Sequence, residues 1–536
     1  MAKIVAAQQL KSMLSDGGEI ALLDVREAGQ YADGHPFFAV PCAYSRFEAD
    51  IERLVPRRSV RVVLFDDGDG VAARATKRAE ALGYTDVAVL DGGAPAWKAA
   101  GYTLFDGVNL PSKTFGELIE IERHTPRVTA DELVAMQKRG DDMVIVDGRT
   151  WAEYQRFSIP GGISCPNGEL ALRIDAIAPS PTTRIVVNCA GRTRSIIGAQ
   201  TLIDLGVPNE VVALENGTQG WFLAGYEVAR GAKSKYPEAP ADGAALAARR
   251  EQAAGHAAKH GVEAVSGAKA AQWLADPDRT TYLLDVRTAE EVAAVPLAGF
   301  EHAPGGQLQQ ATDQWVGVRG ARLVLADTDG IRAPMVAAWL RQLGHEAYVC
   351  STAEGGEAIA RVLPADRAPR GPDALKARIK ELRAVTPQGL SALLWSGSGR
   401  ALDLRSSQAY RDGHIPGSIW AIRPRLAEAL GEDAGPVVLI ADSPEIAAAA
   451  SIELAECGFT DVSVLAGGVD AWCADGQSLN VSPDVPADPE RIDFIFHTHQ
   501  RHDGNVEAAR AYLAWEVDLV GRLDAQERGV FRISAH

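Results

Sequence analysis

A short apolar run that ends in an acidic residue and a basic residue recurs four times along the chain. The acidic residues are Asp24, Asp147, Asp285 and Asp403, so the successive runs lie 123, 138 and 118 residues apart by subtraction. Each run is followed by a second apolar strand, a helical pattern that stops at a glycine, and a third apolar strand. Short apolar strands that alternate with amphipathic helices predict a parallel sheet with helices on both faces.

The repeats predict four small α/β domains in tandem and one extension. The predicted boundaries are copy one at 1–107, copy two at 126–231, copy three at 263–364, copy four at 385–480 and a C-terminal extension at 481–536. A chain of 536 residues is too long for a single hydrophobic core, which agrees with this division.

Three linkers join the copies, at 108–126, 232–262 and 365–384. The second linker is rich in alanine near 244–258, and the third has a helical pattern from Asp373 to Leu382, so each is expected to contain a helix. In the extension, Asn505 is predicted to cap a helix that runs towards Leu523.

Cys189 begins the sequence Cys-Ala-Gly-Arg-Thr-Arg-Ser, between an apolar strand at 185–187 and a helix predicted from Ile196 to Leu205. A thiolate is stabilised at the mouth of a helix N-terminus, because free backbone N–H groups and the helix dipole attract negative charge. The pKa of an ordinary cysteine is about 8.5, so a reactive thiol needs such help at neutral pH. The position of Cys189 therefore indicates a nucleophile.

The corresponding positions of the other copies carry no thiol. Cys189 lies 17 residues before the glycine that ends its helix. The same count gives Asp66 in copy one, Asp327 in copy three, and Ala441 beside Asp442 in copy four. A carboxylate cannot carry sulfur and repels an anionic substrate. Copies one, three and four are therefore predicted to be catalytically silent.

Composition restricts the classes of partner. The net charge of −17 disfavours nucleic acid and acidic membrane surfaces. No apolar run reaches the length of a membrane span, and no signal-peptide pattern is present, so a cytoplasmic location is expected. Six cysteines without paired spacing fit a reducing compartment. A small anionic substrate would need a locally positive site, for which Arg192 and Arg194 are the candidates.

Further motifs accompany the loop. Copy four contains Gly413-His414-Ile415-Pro416-Gly417, copy two keeps Ile159-Pro160-Gly161, and a tryptophan follows a glycine turn at Trp97, Trp221 and Trp472. Together with the Asp-x-Arg strands and the cysteine loop, these motifs resemble the rhodanese superfamily over all four copies. The resemblance implies four tandem rhodanese-like domains and a thiosulfate sulfurtransferase activity.

The resemblance also implies the reaction and its site. Cys189 would take the sulfane sulfur of a small anionic donor as a persulfide and pass it to cyanide or a thiol. No cofactor and no metal is expected. The residues expected to bind the substrate are Ala190, Gly191, Arg192, Thr193, Arg194 and Asp147.

Roles outside the reaction are expected for the nearby polar residues and for the other cysteines. Arg149 is expected to form a structural ion pair with Asp147. Cys165 is expected to pack in the core, with a resolving or sulfur-relay role as the alternative. The remaining cysteines are expected to be buried or incidental: Cys42, Cys350, Cys457 and Cys473. A solvated loop is favoured over a metal site for the tail histidines His497, His499 and His502.

Two alternative functions stay open. The first is a phosphatase or an arsenate reductase of the same fold. Phosphatases of this fold place an arginine six residues after the cysteine, whereas this chain has Ser195 there, which favours a sulfur donor. Mercaptopyruvate-type enzymes tend to have a less basic loop, which favours thiosulfate here. The second alternative is a sulfur carrier or scaffold, in which the silent copies dock partners.

Two-domain relatives pair a silent domain with an active one and often carry an arginine six residues after the strand aspartate. This chain has Glu153 at that position, so the charge of the substrate must be met elsewhere. By analogy, copies one and two are expected to form one pair, and copies three and four another. A homodimer is left open.

Overall fold

The computed structural model describes residues 3–238, 243–350, 371–431, 435–496 and 504–533. Each copy forms one five-stranded sheet, with the same order in all four: first, fifth, fourth, second and third strand. The paired strands are parallel, as in copy one. The predicted fold class, four tandem α/β domains with parallel sheets and flanking helices, is confirmed.

Copies one and two share one order of elements. Copy one contains β1 (Lys3–Val5), α1 (Ala7–Met13), β2 (Ile20–Asp24), α2 (Ala28–Asp33), β3 (Val40–Pro41), α3 (Phe47–Leu54), β4 (Arg61–Phe65), α4 (Val71–Ala81), β5 (Val87–Leu90) and α5 (Gly93–Ala99). The first linker forms α6 (Leu110–Arg123). Copy two contains β6 (Arg127–Val128), α7 (Ala130–Arg139), β7 (Met143–Asp147), α8 (Trp151–Arg156), β8 (Ile163–Ser164), α9 (Asn167–Ile177), β9 (Arg184–Asn188), α10 (Thr193–Leu205), β10 (Val211–Leu214) and α11 (Gly217–Leu223).

Copies three and four repeat the pattern. The second linker forms α12 (Ala244–Lys259), and copy three contains β11 (Glu263–Val265), α13 (Gly267–Leu274), β12 (Thr281–Asp285), α14 (Ala289–Ala294), β13 (Glu301–His302), α15 (Gly305–Gln310), β14 (Arg322–Ala326), α16 (Arg332–Gln342) and β15 (Glu346–Cys350). The third linker forms α17 (Gly371–Glu381), and copy four contains β16 (Arg383–Val385), α18 (Pro387–Ser396), β17 (Arg400–Asp403), α19 (Ser407–Asp412), β18 (Ser418–Trp420), α20 (Leu426–Leu430), β19 (Val437–Ile440), α21 (Pro444–Glu456), β20 (Val462–Leu465) and α22 (Gly468–Ala474). The extension forms α23 (Val506–Arg522) and α24 (Ala525–Arg528).

The predicted strands are the three central strands of each sheet. Their apolar side chains are buried on both faces, as in β9, and this burial produces the continuous apolar runs. The outer strands are only two or three residues long, as in β6 and β8, so they carry no pattern that predicts them. The helices expected in the second and third linkers are present as α12 and α17.

The expected pairing of the copies is wrong. Copies one and four form one compact unit, and copies two and three form another together with α6 and α23. In the first unit, Arg423 of copy four donates to Glu48 of copy one at 2.7 Å. In the second unit, Arg332 of copy three donates to Glu169 of copy two at 2.8 Å. These partners are far apart in the sequence, and the analogy with two-domain relatives could not identify them.

Glycines allow the backbones of copies two and three to meet. A Cβ atom on Gly168 would lie 2.5 Å from the backbone nitrogen of Gly306, so any side chain here would separate the two copies. Arg332 is 1 % exposed and also pairs with Glu291 and Asp329. This buried network joins copy three to the helix α9 of copy two.

We expect Arg332→Ala to destabilise the second unit by about 3–5 kcal/mol, because it leaves buried carboxylates without their cation. Arg383→Ala removes an exposed ion pair with Asp461 and should cost no more than about 1 kcal/mol. Hydrogen exchange of copy-three peptides in mild urea measures the difference. Equal protection in the two variants would contradict a stabilising role for the network.

Candidate active site

Cys189 lies at the carboxyl end of β9, where the chain turns into α10. The helix begins at Thr193, three residues before the predicted start at Ile196, and Arg192 is its N-cap residue. Cys189 is 3 % exposed, so its thiol is covered by neighbouring residues. The predicted strand, loop and helix are present around a nearly buried cysteine.

The loop after Cys189 leaves its backbone donors open. Within the described residues, no backbone N–H group from Gly191 to Ser195 has an acceptor in the protein. The first N–H groups of a helix have no partner inside the helix, and the helix dipole favours an anion placed against them. The loop of copy two can therefore receive negative charge beside the thiol.

Copy one fills the same loop with its own carboxylate. Asp66 accepts hydrogen bonds from the N–H groups of Gly68 at 2.9 Å, Gly70 at 3.0 Å and Ala72 at 2.9 Å. The aspartate therefore does more than repel an anionic donor, because it occupies the position that a bound anion would take. This contact gives the predicted silence of copy one a physical basis.

Copy three repeats this arrangement, whereas the loop of copy four has no carboxylate in this position. Asp327 accepts from the N–H groups of Gly330 at 2.8 Å and Ala333 at 2.7 Å, and burial raises the pKa of Asp327 to about 6. In copy four, α21 begins with Pro444, which has no N–H group, and Asp442 is exposed. Of the four loops as the structure describes them, the copy-two loop alone combines a thiol with open donors.

A glycine and a threonine fix the back of the loop. Gly217 has φ +54°, and a Cβ atom on it would lie 2.4 Å from the carbonyl oxygen of Cys189, so this position requires glycine. Thr218 donates to the same oxygen from its N–H group at 2.8 Å and from its hydroxyl at 2.6 Å. The Gln219 N–H group donates to the carbonyl of Ala190 at 3.0 Å. The carbonyls of the loop are thus held on the side of α11.

Asp147 ends the adjacent strand β7, opposite Asn188. Its carboxylate pairs with Arg149 at 2.7 Å, and both side chains are buried. Arg149 also donates to the carbonyl of Phe157 at 2.6 Å. The same pair forms in the other copies, between Asp24 and Arg26, Asp285 and Arg287, and Asp403 and Arg405. The pair is therefore structural, and substrate binding by Asp147 stays a prediction.

The side chain of Arg192 ties the loop to α6. Its guanidinium donates to Glu117 at 2.7 and 2.8 Å, to Glu120, and to Asn216 at 3.3 Å. The sequence assigned this segment to a linker, although Pro111 in the first helical turn is a signal for a helix start. A contact between the Arg192 guanidinium and substrate stays a prediction, because carboxylates already hold this side chain.

Arg194 lies in the first turn of α10 and is held by a carboxylate. It pairs with both oxygens of Glu153, at 2.6 and 2.8 Å. Burial lowers the pKa of Arg194, but the charge of Glu153 outweighs burial and raises that pKa above its usual value. Burial likewise raises the pKa of Glu153, but Arg194 outweighs it and keeps that pKa well below its usual value. Glu153, which stands where two-domain relatives often have an arginine, thus binds Arg194 of the loop.

Two hydroxyls of the loop are available as donors. The side-chain oxygens of Thr193 and Ser195 are buried and have no hydrogen-bond partner among the described residues. Asn167 donates to the carbonyl of Arg194 at 2.9 Å and supports this turn from α9. A cavity of about 10 Å³ between Asn167, Thr193 and Arg194 is about the size of one water molecule.

The other cysteines lie outside this loop. Cys165 is fully buried beside Val146 and Leu170, and burial raises its pKa well above the usual value, which supports packing over a relay. Cys42 and Cys350 are buried as expected. Cys457 and Cys473 are exposed, so of the two expectations, buried or incidental, burial is wrong for them.

No group of three or more metal-ligating side chains occurs among the described residues. The histidines His497, His499 and His502 lie outside the described residues. Within the same described segments, no helix has the length and apolar character of a membrane span.

The extension also reaches the loop, which the sequence did not predict. Its helix α23 begins after Asn505, whose side chain accepts from the N–H group of Ala508 at 3.0 Å, so the predicted cap is confirmed. One turn apart on this helix, Tyr512 and Glu516 contact the loop at Gly191. A buried Glu516 has no local signal in the sequence, because its burial depends on segments hundreds of residues away.

The protein-family model "Rhodanese-like domain" matches residues 6–100, 129–224 and 386–475 of the sequence. The chain belongs to the rhodanese family. The matched segments lie in copies one, two and four, and copy three has the same strand order as the other rhodanese-like domains. The resemblance inferred from the sequence motifs is therefore confirmed.

Among solved structures, this chain is similar to a thiosulfate sulfurtransferase from Pseudomonas aeruginosa. The two chains share 42% sequence identity, 99% of each is covered, and the TM-score is 0.87. The chain is also similar to SseB of Mycobacterium tuberculosis, to which a thiosulfate sulfurtransferase activity is provisionally assigned, with 25% identity over 205 residues. That match covers 31% of this chain and 71% of SseB.

We expect Asp66→Ala to destabilise copy one by about 1–3 kcal/mol, because three buried or partly buried N–H groups lose their acceptor. Asp442→Ala in copy four removes an exposed carboxylate and should change stability by less than about 0.5 kcal/mol. Urea unfolding of the two variants, followed by hydrogen exchange of each copy, gives the comparison. If Asp66→Ala leaves the stability of copy one unchanged, the Asp66 carboxylate does not stabilise the loop.

Proposed function

We propose that this member of the rhodanese family is a sulfurtransferase that moves sulfane sulfur from thiosulfate, or a similar small anion, through a persulfide on Cys189. The observation that carries the proposal is the combination of this thiol with open N–H groups from Gly191 to Ser195. The similarity to a thiosulfate sulfurtransferase at 42% identity over nearly the whole chain supports the class of reaction.

In the first half-reaction, the Cys189 thiolate attacks the outer sulfur of thiosulfate. The sulfur–sulfur bond of the donor breaks, and sulfite leaves with the bonding electron pair. The enzyme keeps one sulfur atom as a persulfide anion. The open N–H groups of the loop and the charge of Arg194 are the groups that would stabilise this anion.

In the second half-reaction, cyanide or a thiolate attacks the outer sulfur of the persulfide. The Cys189 thiolate is the leaving group, so the enzyme returns to its starting state without a cofactor. Hydroxyl donors at Thr193 and Ser195 can bind the oxygen atoms of the donor or of sulfite while the charge moves.

The phosphatase and arsenate reductase alternative receives no support from the site. Such enzymes need an arginine at the sixth position after the cysteine, and Ser195 cannot supply that charge. The carrier or scaffold alternative differs from the proposal in its kinetics, because a carrier holds sulfur without rapid release to small acceptors.

We expect intact-protein mass spectrometry to detect one added sulfur atom after thiosulfate treatment of the wild type, and none on Cys189→Ser. Turnover of thiosulfate and cyanide should fall about 1,000-fold or more in this variant, because a hydroxyl cannot form the persulfide. Loss of the added mass on mixing with cyanide, at a rate no slower than turnover, would distinguish a sulfurtransferase from a carrier.

Matched controls are Cys165→Ala in the core and the double variant Cys457→Ser with Cys473→Ser, which removes the exposed thiols. Both should gain the sulfur atom as the wild type does. Sulfur on Cys189→Ser, or its loss from the double variant, would contradict the assignment of Cys189.

A further inference from the structure

The extension helix α23 covers the Cys189 loop with a phenol and a carboxylate. A Cβ atom on Gly191 would lie 2.7 Å from Oε2 of Glu516 and 3.3 Å from Cε1 of Tyr512. Glu516 is 2 % exposed and Tyr512 is 5 % exposed. A carboxylate from outside the four repeats is therefore fixed directly against the loop that would receive an anion.

Lys113 of α6 holds this carboxylate in place. Its Nζ donates to Glu516 at 3.0 Å and to the hydroxyl of Tyr512, and all three side chains are buried. The same ammonium lies 4.5 Å from the ring centre of Tyr512 and 5.0 Å from that of Trp515. These contacts leave the Glu516 carboxylate little freedom to move away when a donor binds.

The charges around the loop are closely balanced. Arg192 pairs with Glu117 and Glu120, Arg194 pairs with Glu153, and Lys113 pairs with Glu516. Burial raises the pKa of Glu117, Arg192 lowers it, and the nearby charge of Glu516 raises it again. The negative charge of Glu516 thus acts on Glu117, which anchors the loop through Arg192. Within the described residues, each of the three cations near the loop is paired with a carboxylate, so the local excess of positive charge expected from the sequence is absent.

We propose that Glu516, balanced by Lys113, makes persulfide formation at Cys189 sensitive to donor charge and lowers the rate with dianions such as thiosulfate relative to monoanions of similar size. This inference rests on the proposed function, because it concerns the donor of the same persulfide. The open N–H groups stabilise one negative charge at the thiol, and a second charge on the donor meets the Glu516 carboxylate. Glu516 is thus a specificity-determining residue, and it takes no part in bond making.

Two donors of nearly equal size test this charge preference. Methanethiosulfonate is thiosulfate with one oxygen anion replaced by a methyl group, so it carries one negative charge instead of two. Attack by the Cys189 thiolate on its outer sulfur breaks the sulfur–sulfur bond, forms the same persulfide and releases methanesulfinate with the electron pair. The rate constants of persulfide formation from the two donors, measured by rapid quench and mass spectrometry, give a dianion-to-monoanion ratio.

We expect Glu516→Gln to raise this ratio about tenfold, because it removes a negative charge near the bound donor and leaves that of Lys113 unopposed. Lys113→Gln should lower the ratio, because it leaves the carboxylate unopposed. Asp518→Asn removes an exposed carboxylate from the same helix and should leave the ratio unchanged. A merely structural role would move both rate constants together and leave the ratio constant.

The opposite signs of the two charge changes keep the test valid even where one variant is poorly folded. An unchanged ratio in both variants, or a shift in the same direction, would overturn the role of Glu516 and leave the sulfurtransferase function intact. Failure of both donors to load sulfur on the wild type would overturn the proposed function and this inference together.

Discussion

The structure depends on one constraint: the backbone N–H groups at the start of a helix need an acceptor when they are buried at the edge of a sheet. Copies one and three satisfy this need internally, with the carboxylates of Asp66 and Asp327. Copy two leaves the donors open beside Cys189. In copies one, two and three, the residue at the end of this strand therefore decides whether the donors are filled by the protein or left open.

Copy three, which has no thiol at the loop position, stabilises copy two. Copy three packs on α9 of copy two through Arg332 and Glu169, and through the backbone contact of Gly168 with Gly306. Helix α9 carries Asn167, which supports the carbonyl of Arg194 in the cysteine loop. Copy three thus stabilises the helix behind the loop. The segments between and after the copies, α6 and α23, supply three carboxylates near the loop: Glu117, Glu120 and Glu516.

Local patterns predict the part of this structure that local forces determine. The central strands, the glycine stops, the Asn505 cap and the Cys189 loop can be read from the sequence, because each depends on neighbouring residues. The pairing of the copies could not be read, because it depends on contacts across long stretches of chain. The glutamate partners of Arg192 and Arg194 could not be read from the sequence either, because Glu117 and Glu153 come within reach of these side chains only in the folded chain. There each guanidinium pairs with its glutamate before any substrate arrives.

The central claim is that the open N–H groups of copy two receive the negative charge created at Cys189. A crystal structure of the protein treated with thiosulfate tests it most directly. The account predicts one additional sulfur atom on Cys189 within hydrogen-bonding distance of N–H groups between Gly191 and Ser195, with Asp66 and Asp327 still bound to their own loops. A sulfur atom on another cysteine, or a persulfide that points away from these N–H groups, would contradict the account.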